Sequence, residues 1–127
     1  MIQQIKIVLA LTLFVAQPQM VISQELEIKD FSPQAYAHYR VVEVWGEEQF
    51  SYFDTLVMKE SKWLPTAQNP KSTAYGIPQF LDSTWATVGC EKTDDPHVQI
   101  DCMIDYVSER YGTPENAVEF HIEHNYY

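Results

Sequence analysis

Residues 60–80 read ESKWLPTAQNPKSTAYGIPQF, in which an acidic residue stands at the start of a long irregular stretch. The stretch is rich in Pro, Asn, Ser, Thr and Gly, residues that favour turns over regular structure. It has room for one small β-hairpin between residues 64 and 80. Loops beside a rigid scaffold are where binding residues concentrate, so function is expected here first.

A helix predicted from about Glu47 to Trp63 leads into this stretch and carries Glu60 inside its apolar stripe. At about 100° of rotation per residue, Glu60 falls on the side of Phe53, whereas Lys59 and Lys62 fall on the other side. An acid in this position is either part of a structural ion pair or a functional carboxylate whose pKa is raised by lost solvation. Because its own helix offers no basic partner, the functional interpretation is favoured.

Capping signals predict four further helices around one core. A helix start is indicated by a capping residue and a proline, or by two capping residues, at Ser32-Pro33, Asp82-Ser83, Asp95-Pro96 and Thr113-Pro114. Helix ends are indicated by Gly46, Gly89 and Gly112. The predicted fold class is therefore mainly α, with about five helices, and the helix that follows Asp95 is expected to be the most buried.

The N-terminal residues have the pattern of an export signal. Lys6 precedes a run, Ile7 to Ala16, that is apolar except for Thr12, and a small residue, Ser23, stands before the expected cleavage site. We therefore expect residues 1–23 to be a signal peptide and residues 24–127 to be a secreted or periplasmic domain. An uncleaved anchor is the alternative, but about ten apolar residues fall short of the roughly twenty that span a bilayer. No stable membrane insertion is expected after cleavage.

The charge balance excludes one class of partner. The chain has 8 basic and 18 acidic residues, a formal net charge of −10, and loss of residues 1–23 would change this to −11 because they contain one lysine and no acid. No basic stripe is present that could neutralise phosphates. Nucleic acid is therefore not an expected partner.

Cys90 and Cys102 are the only cysteines, and both lie in the part expected to be exported. Oxidising conditions outside the cell favour a disulfide, which would contribute about 3 kcal/mol for a loop of this size. Two buried free thiols are the alternative. His97 alone does not complete a metal site with them.

Two histidines near the C-terminus, His121 and His124, lie one helical turn apart and could form a metal site with Glu123. A half-exposed C-terminal helix explains the same pattern without a metal and is the favoured interpretation. No metal is expected.

The ordered motifs of residues 60–80 resemble the lytic transglycosylase family, which has the goose-type lysozyme fold. A Glu-Ser pair at a helix end is followed by an Asn-Pro step and then by Gly-Ile-x-Gln, as in that family. The resemblance extends from Trp45 to the terminal Tyr126-Tyr127 and covers nearly all of the mature chain. Three residues depart from the commonest pattern, with Asn or Gly frequent in their place: Leu64, Thr73 and Asn125.

The resemblance implies roles for particular residues. Glu60 corresponds to the catalytic acid, and Gln79 to the glutamine that lines the cleft. The residues expected to bind the substrate are Ser61, Tyr75, Gly76, Gln79 and Tyr126. Core packing is the alternative for any single aromatic residue, and Tyr75 is the one favoured to contact sugar.

The resemblance also implies a reaction, an exported muramidase that cuts the MurNAc-GlcNAc β-1,4 bond of peptidoglycan and forms 1,6-anhydroMurNAc. Burial can raise the pKa of a glutamate from about 4.3 into the range this chemistry needs. A single carboxylate suffices in that family, although Asp54, Asp82 and Asp94 are candidate second acids. The alternatives are a hydrolytic goose-type lysozyme and a non-catalytic glycan-binding module. No cofactor is implied, the partner is the peptidoglycan glycan strand, and a monomer is expected.

Overall fold

The computed structural model describes the backbone of residues 6–13 and 20–127 and the side chains of residues 27–127. Within these residues the chain is mainly helical and has the expected lysozyme-like fold. The five α-helices are α1 (Pro33–Trp45), α2 (Phe50–Glu60), α3 (Asp82–Val88), α4 (Pro96–Tyr111) and α5 (Pro114–His124). Short 3-10 turns lie at Ile28–Asp30 and Glu47–Gln49.

The chain divides into two units, one ending at Ser32 and one that runs from Pro33 to Tyr127. In the first unit, strands β1 (Lys6–Leu13) and β2 (Met20–Glu27) pair antiparallel along all eight residues of each strand. The cleavage expected after Ser23 would fall within β2. The rest of the predicted signal peptide, residues 1–5 and 14–19, lies outside the described residues, and export stays a prediction. No helix in the described part of the chain is long and apolar enough to cross a membrane.

Helix starts in the second unit follow the capping signals. The Asp95 carboxylate accepts a hydrogen bond from the backbone N–H of His97 at 2.9 Å, and a proline occupies the first turn of α4. The Thr113 hydroxyl accepts one from the N–H of Asn116 at 3.3 Å, which caps α5 in the same way. At its other end, α5 stops at Asn125, whose φ of 61° and ψ of 24° are left-handed, a conformation that asparagine tolerates.

Helix α2 is shorter than the sequence indicates. It ends at Glu60 and not near Trp63, because Lys62 and Trp63 adopt left-handed backbone with φ of 52° and 65°. The N–H groups of Ser61 and Lys62 both donate to the carbonyl of Val57, at 2.9 and 3.1 Å. Glu60 is therefore the last helical residue, directly before the loop.

The core lies where α2 packs against α1 and α5, and where α4 packs against α1, α3 and α5. Helix α4 contributes more buried residues than any other described helix: Gln99, Ile100, Cys102, Met103, Ile104 and Val107. The prediction that this helix is the most buried is confirmed. Cys90 and Cys102 form a disulfide with a Cα–Cα distance of 6.3 Å, which joins the segment after α3 to α4.

The loop between α2 and α3 has no hairpin strands. Two isolated β-bridges take their place, and both use Tyr75, which pairs with Gln68 on one side and with Phe80 on the other. The N–H of Gly76 also donates to the carbonyl of Ala67 at 2.8 Å. These bonds fold the loop back on itself beside the end of α2.

Candidate active site

A cleft of about 590 Å³ opens at the C-terminal end of α2. Its lining comes from the last turn of α2, the loop before α3 with the first turns of that helix, the C-terminal half of α4, and the end of the chain from α5 onward. The charged and amide side chains among them are Lys59, Glu60, Asn69, Gln79, Arg110 and His121, with Asn125 near the C-terminus. Among the described residues that line the cleft, Glu60 has the only acidic side chain.

Glu60 contacts a histidine that comes from α5. One carboxylate oxygen, Oε1, lies 2.8 Å from Nε2 of His121, and the two side chains are 16% and 10% exposed respectively. Burial raises the pKa of Glu60 above its ordinary value, and the neighbouring imidazole opposes part of this rise through its charge and its hydrogen bond. The partner that α2 could not supply thus comes from a helix 61 residues further along the chain.

The three candidate second acids are engaged elsewhere. Asp54 accepts a hydrogen bond from the indole N–H of Trp63 at 2.8 Å. Asp82 accepts one from the ammonium group of Lys92 at 3.0 Å, and Asp94 accepts one from the hydroxyl of Tyr75. None of the three lines the cleft.

A family model described as the transglycosylase SLT domain matches residues 46–123, well over half of the chain. The chain belongs to the transglycosylase SLT domain family. The transglycosylases of this family act on peptidoglycan. The matched region contains both Glu60 and His121. No curated protein and no solved structure matches the chain.

Two of the expected binding residues organise the loop of this SLT domain through hydrogen bonds. Ser61 is buried, does not line the cleft, and donates its hydroxyl to the carbonyl of Ile77 at 2.8 Å. Gln79 does line the cleft, and its side-chain amide donates to the carbonyls of Ala67 and Gly76 at 2.8 and 3.0 Å. Gln79 also has a left-handed φ of 50°, so the loop imposes an uncommon conformation at the cleft wall.

The two tyrosines expected to bind sugar lie in different places. Tyr75 does not line the cleft; its hydroxyl donates to Asp94, and the Lys92 ammonium lies 5.1 Å from its ring centroid. Tyr126 does line the cleft, is 54% exposed, and meets the ring of Phe120 edge to face at 5.4 Å. Of the two rings, only Tyr126 is positioned to touch a ligand in this cleft.

Gly76 does not line the cleft but determines how closely the loop approaches α4. A Cβ added to it would lie 2.6 Å from Nε2 of Gln99, and its φ is 78°. Gln99 is completely buried and binds the loop directly, because its Oε1 accepts the N–H of Ile77 at 3.0 Å and its Nε2 donates to the carbonyl of Pro65 at 2.9 Å. Glycine is therefore required at position 76 for the loop to reach this glutamine.

Sequence reasoning missed Gln99 and the contact of His121, although a signal for each was present. At about 100° per residue, Gln99 falls opposite the polar arc of α4, and His121 falls between the buried residues Ala117 and Val118 of α5. A polar side chain on an apolar face implies a buried partner, by the same argument that singled out Glu60.

The C-terminal residue was also missed as part of the site. The hydroxyl of Tyr127 donates to the carbonyl of Pro78 at 2.8 Å and so ties the end of the chain to the loop. Burial raises its pKa well above the ordinary value, and the charge of Glu60 adds to the rise.

The alternative of a metal site at His121, Glu123 and His124 was left open by the sequence. Among the described residues, no three His, Cys, Asp or Glu side chains form a group that could hold a metal ion. The Nε2 atom of His121 is hydrogen-bonded to Glu60. His124 donates from Nδ1 to the carbonyl of Phe120 at 2.9 Å and stacks on that ring.

Proposed function

We propose that this SLT domain is a lytic transglycosylase that cuts the MurNAc-GlcNAc β-1,4 bond, with Glu60 as its one catalytic carboxylate and 1,6-anhydroMurNAc as its product. The observation that carries the proposal is that Glu60 is the only acidic side chain among the described cleft residues. Its raised pKa favours the protonated form that a general acid needs. Cleavage after residue 23 would deliver the domain to the wall, in a secreted or periplasmic location.

The chemistry needs one group that gives a proton and later accepts one. Protonated Glu60 donates to the glycosidic oxygen, the C1–O bond breaks, and the departing sugar leaves as an alcohol. The Glu60 carboxylate then takes the proton from the C6 hydroxyl of the muramoyl residue as that oxygen bonds to C1. The acid is regenerated, and no water is consumed.

The alternative outcome, hydrolysis, has less support in this cleft. Glycosidases that work with two carboxyl groups hold them about 5 to 9.5 Å apart, so that the second acts as nucleophile or activates water. No second acidic side chain lines the described cleft, and Asp54, Asp82 and Asp94 are bound to other partners. A glycan-binding module without turnover would need no acid of raised pKa.

The test is Glu60→Gln, which keeps the shape of the side chain and removes the transferable proton. Cleavage of purified peptidoglycan should fall by at least about a hundredfold, while the melting temperature stays unchanged or rises slightly. Asp82→Asn is the matched control; its side chain is 63% exposed, and the cleavage rate should stay within about twofold of wild type. A folded Glu60→Gln protein that cleaves at the wild-type rate would remove Glu60 from the mechanism.

Mass spectrometry of the fragments distinguishes the two reactions. Anhydro ends are lighter than hydrolysed ends by one water. Fragments with reducing ends alone would replace the transglycosylase proposal with the lysozyme alternative, and no fragments from wild type would favour the binding module.

A further inference from the structure

The contact between Glu60 and His121 uses only one of the two carboxylate oxygens. Oε1 lies 2.8 Å from the imidazole Nε2, whereas no hydrogen bond joins Oε2 to any described residue. Both side chains line the cleft. Oε2 is therefore the oxygen left available to a substrate.

We propose that His121 is a positioning residue that donates its Nε2–H to Oε1 of Glu60 and thereby holds the catalytic proton on Oε2. The inference rests on the proposed function, because it concerns how Glu60 delivers its proton. An Nε2–H that donates to Oε1, from an imidazole or an imidazolium, leaves that oxygen as an acceptor, so the carboxyl proton resides on the other oxygen. When the proton leaves, the same N–H stabilises the carboxylate that forms.

The groups around Glu60 leave this role to His121. From α2 itself Lys59 lines the cleft, from α4 Tyr106 and Arg110 do, and from the residues after α5 Tyr126 and Tyr127 do. The Tyr127 hydroxyl donates its hydrogen bond to the carbonyl of Pro78. Among the described residues, His121 alone forms a hydrogen bond with the Glu60 carboxylate.

The test compares His121→Leu, which has no donor, with His121→Gln, which restores an N–H. His121 lowers the pKa of Glu60, so its loss in His121→Leu should raise that pKa and move the alkaline limb of the pH–rate profile to higher pH. The maximal rate should fall about tenfold or more, and His121→Gln should recover most of it. Carbon-13 NMR titration of the Glu60 carboxyl reports the same pKa change without any activity.

Two results would overturn the role of His121. One is a folded His121→Leu protein with the wild-type pH profile and the wild-type Glu60 titration; the other is His121→Gln behaving like His121→Leu in both. Failure of the proposed function looks different, because Glu60→Gln would then remain active while the NMR titration could still respond to His121→Leu.

A second, independent observation concerns the charge of the cleft. The chain carries 18 acidic residues and a net charge of −10, yet only Glu60 among them lines the described cleft, beside the cations Lys59 and Arg110. The Arg110 guanidinium lies 5.4 to 5.6 Å from three ring centroids, those of Tyr106, Tyr111 and Phe120, and donates to the Tyr106 hydroxyl. In the described part of the chain it forms no ion pair with a carboxylate.

This arrangement points to a subsite in which Arg110, assisted by Lys59, binds a carboxylate carried by the glycan strand. The proposal rests on the glycan being the ligand of the cleft. The N-acetylated sugar rings are uncharged, so a carboxylate must come from a substituent, either a stem peptide or the lactyl group of a peptide-free muramoyl residue. Rings that hold the guanidinium in place reduce the entropy lost on binding, and Arg can bind a carboxylate through two parallel N–H groups.

Calorimetric titration of the inactive Glu60→Gln protein measures binding without cleavage. The probes are disaccharide-peptide fragments, the same fragments with their carboxylates amidated, and peptide-free fragments with a free lactyl carboxylate. Amidation should weaken binding about tenfold, the effect of roughly one charge-assisted hydrogen bond. The peptide-free fragment shows which of the two carboxylates is bound.

Adding Arg110→Gln should abolish the difference between free and amidated fragments, whereas Arg110→Lys should retain part of it. Lys62→Gln is the matched control, since it removes the same charge from an exposed lysine that does not line the cleft. Equal affinity for free and amidated fragments, or an unchanged preference in Arg110→Gln, would overturn the subsite. Binding of the probes with no cleavage by wild type would instead count against the proposed function alone.

Discussion

Two walls of the cleft are built by different physical means. The loop wall, residues 64–80, is shaped by backbone: its carbonyls and N–H groups are bound by the buried amide of Gln99, and a glycine at position 76 allows the approach. The C-terminal wall, residues 114–127, is shaped by side chains: His121 meets Glu60, and the Tyr127 hydroxyl reaches the loop wall at Pro78.

The difference determines which changes each wall tolerates. A wall built from backbone loses stability when an atom is added where the backbone lies close to a neighbouring side chain, because protein interiors are packed as densely as organic crystals. A side-chain-built wall is sensitive to the loss of single polar groups, each of modest value. Sequence motifs identify the first kind more readily than the second.

The largest effect on stability is expected at the loop wall from Gly76→Ala. The new Cβ would lie 2.6 Å from Gln99 and the residue would keep a φ of 78°, so the protein should lose roughly 2 to 4 kcal/mol from strain and overpacking together. Gly89→Ala is the matched control, because it has the same φ and nothing within 4 Å of the added atom. Thermal melts should show a clearly smaller loss for Gly89→Ala; equal losses would mean that the contact with Gln99 does not matter.

The C-terminal wall should respond more weakly, to Tyr127→Phe. Removal of the hydroxyl leaves the Pro78 carbonyl without its 2.8 Å donor and should lower the free energy of unfolding by about 1 kcal/mol. Tyr126→Phe removes a hydroxyl from the 54% exposed neighbour and should change stability by a few tenths of a kcal/mol at most. Urea denaturation of both variants tests this, and a larger loss for Tyr126→Phe would reverse the assignment.

Ionisation of Glu60, where the walls meet, should have a smaller effect on stability. Its folded-state pKa is raised by burial, so the folded protein keeps a proton that the unfolded chain has lost. The stability from that proton is complete below the unfolded pKa and is lost as the pH rises through the folded pKa. Melting temperatures of wild type should therefore fall relative to Glu60→Gln as the pH rises from about 4 to 8. A constant difference across that range would show that Glu60 ionises as easily in the folded protein as in the unfolded chain.

The smallest effect is expected for Tyr75→Phe. The ring lies outside the cleft and its hydroxyl contacts Asp94, so the cleavage rate should stay within about twofold of wild type, as for other exposed polar contacts. Tyr126→Ala removes the ring that lines the cleft and should raise KM roughly 3- to 10-fold, the range of one aromatic contact. If a steady-state assay showed a larger loss of activity for Tyr75→Phe than for Tyr126→Ala, Tyr75 would have to be placed in the binding site.

The sequence by itself determined the five helices, most of their ends, the family and the place of Glu60 on an apolar face. The reason is that caps, prolines, glycines and the helical period act over a few residues, so their consequences are local. The sequence places the end of α2 too far along the chain, because Lys62 and Trp63 adopt left-handed backbone although neither is a glycine, the residue that usually indicates this conformation.

Only the tertiary structure decided the partners. His121 meets Glu60 across 61 residues of chain, Gln99 reaches Ile77 across 22, and Tyr127 reaches Pro78 across 49. It also decided that Tyr126 and not Tyr75 lines the cleft. Helix periodicity says which face of a helix is buried but not which residue of another helix it meets, because that depends on how α2, α4 and α5 pack around the shared core.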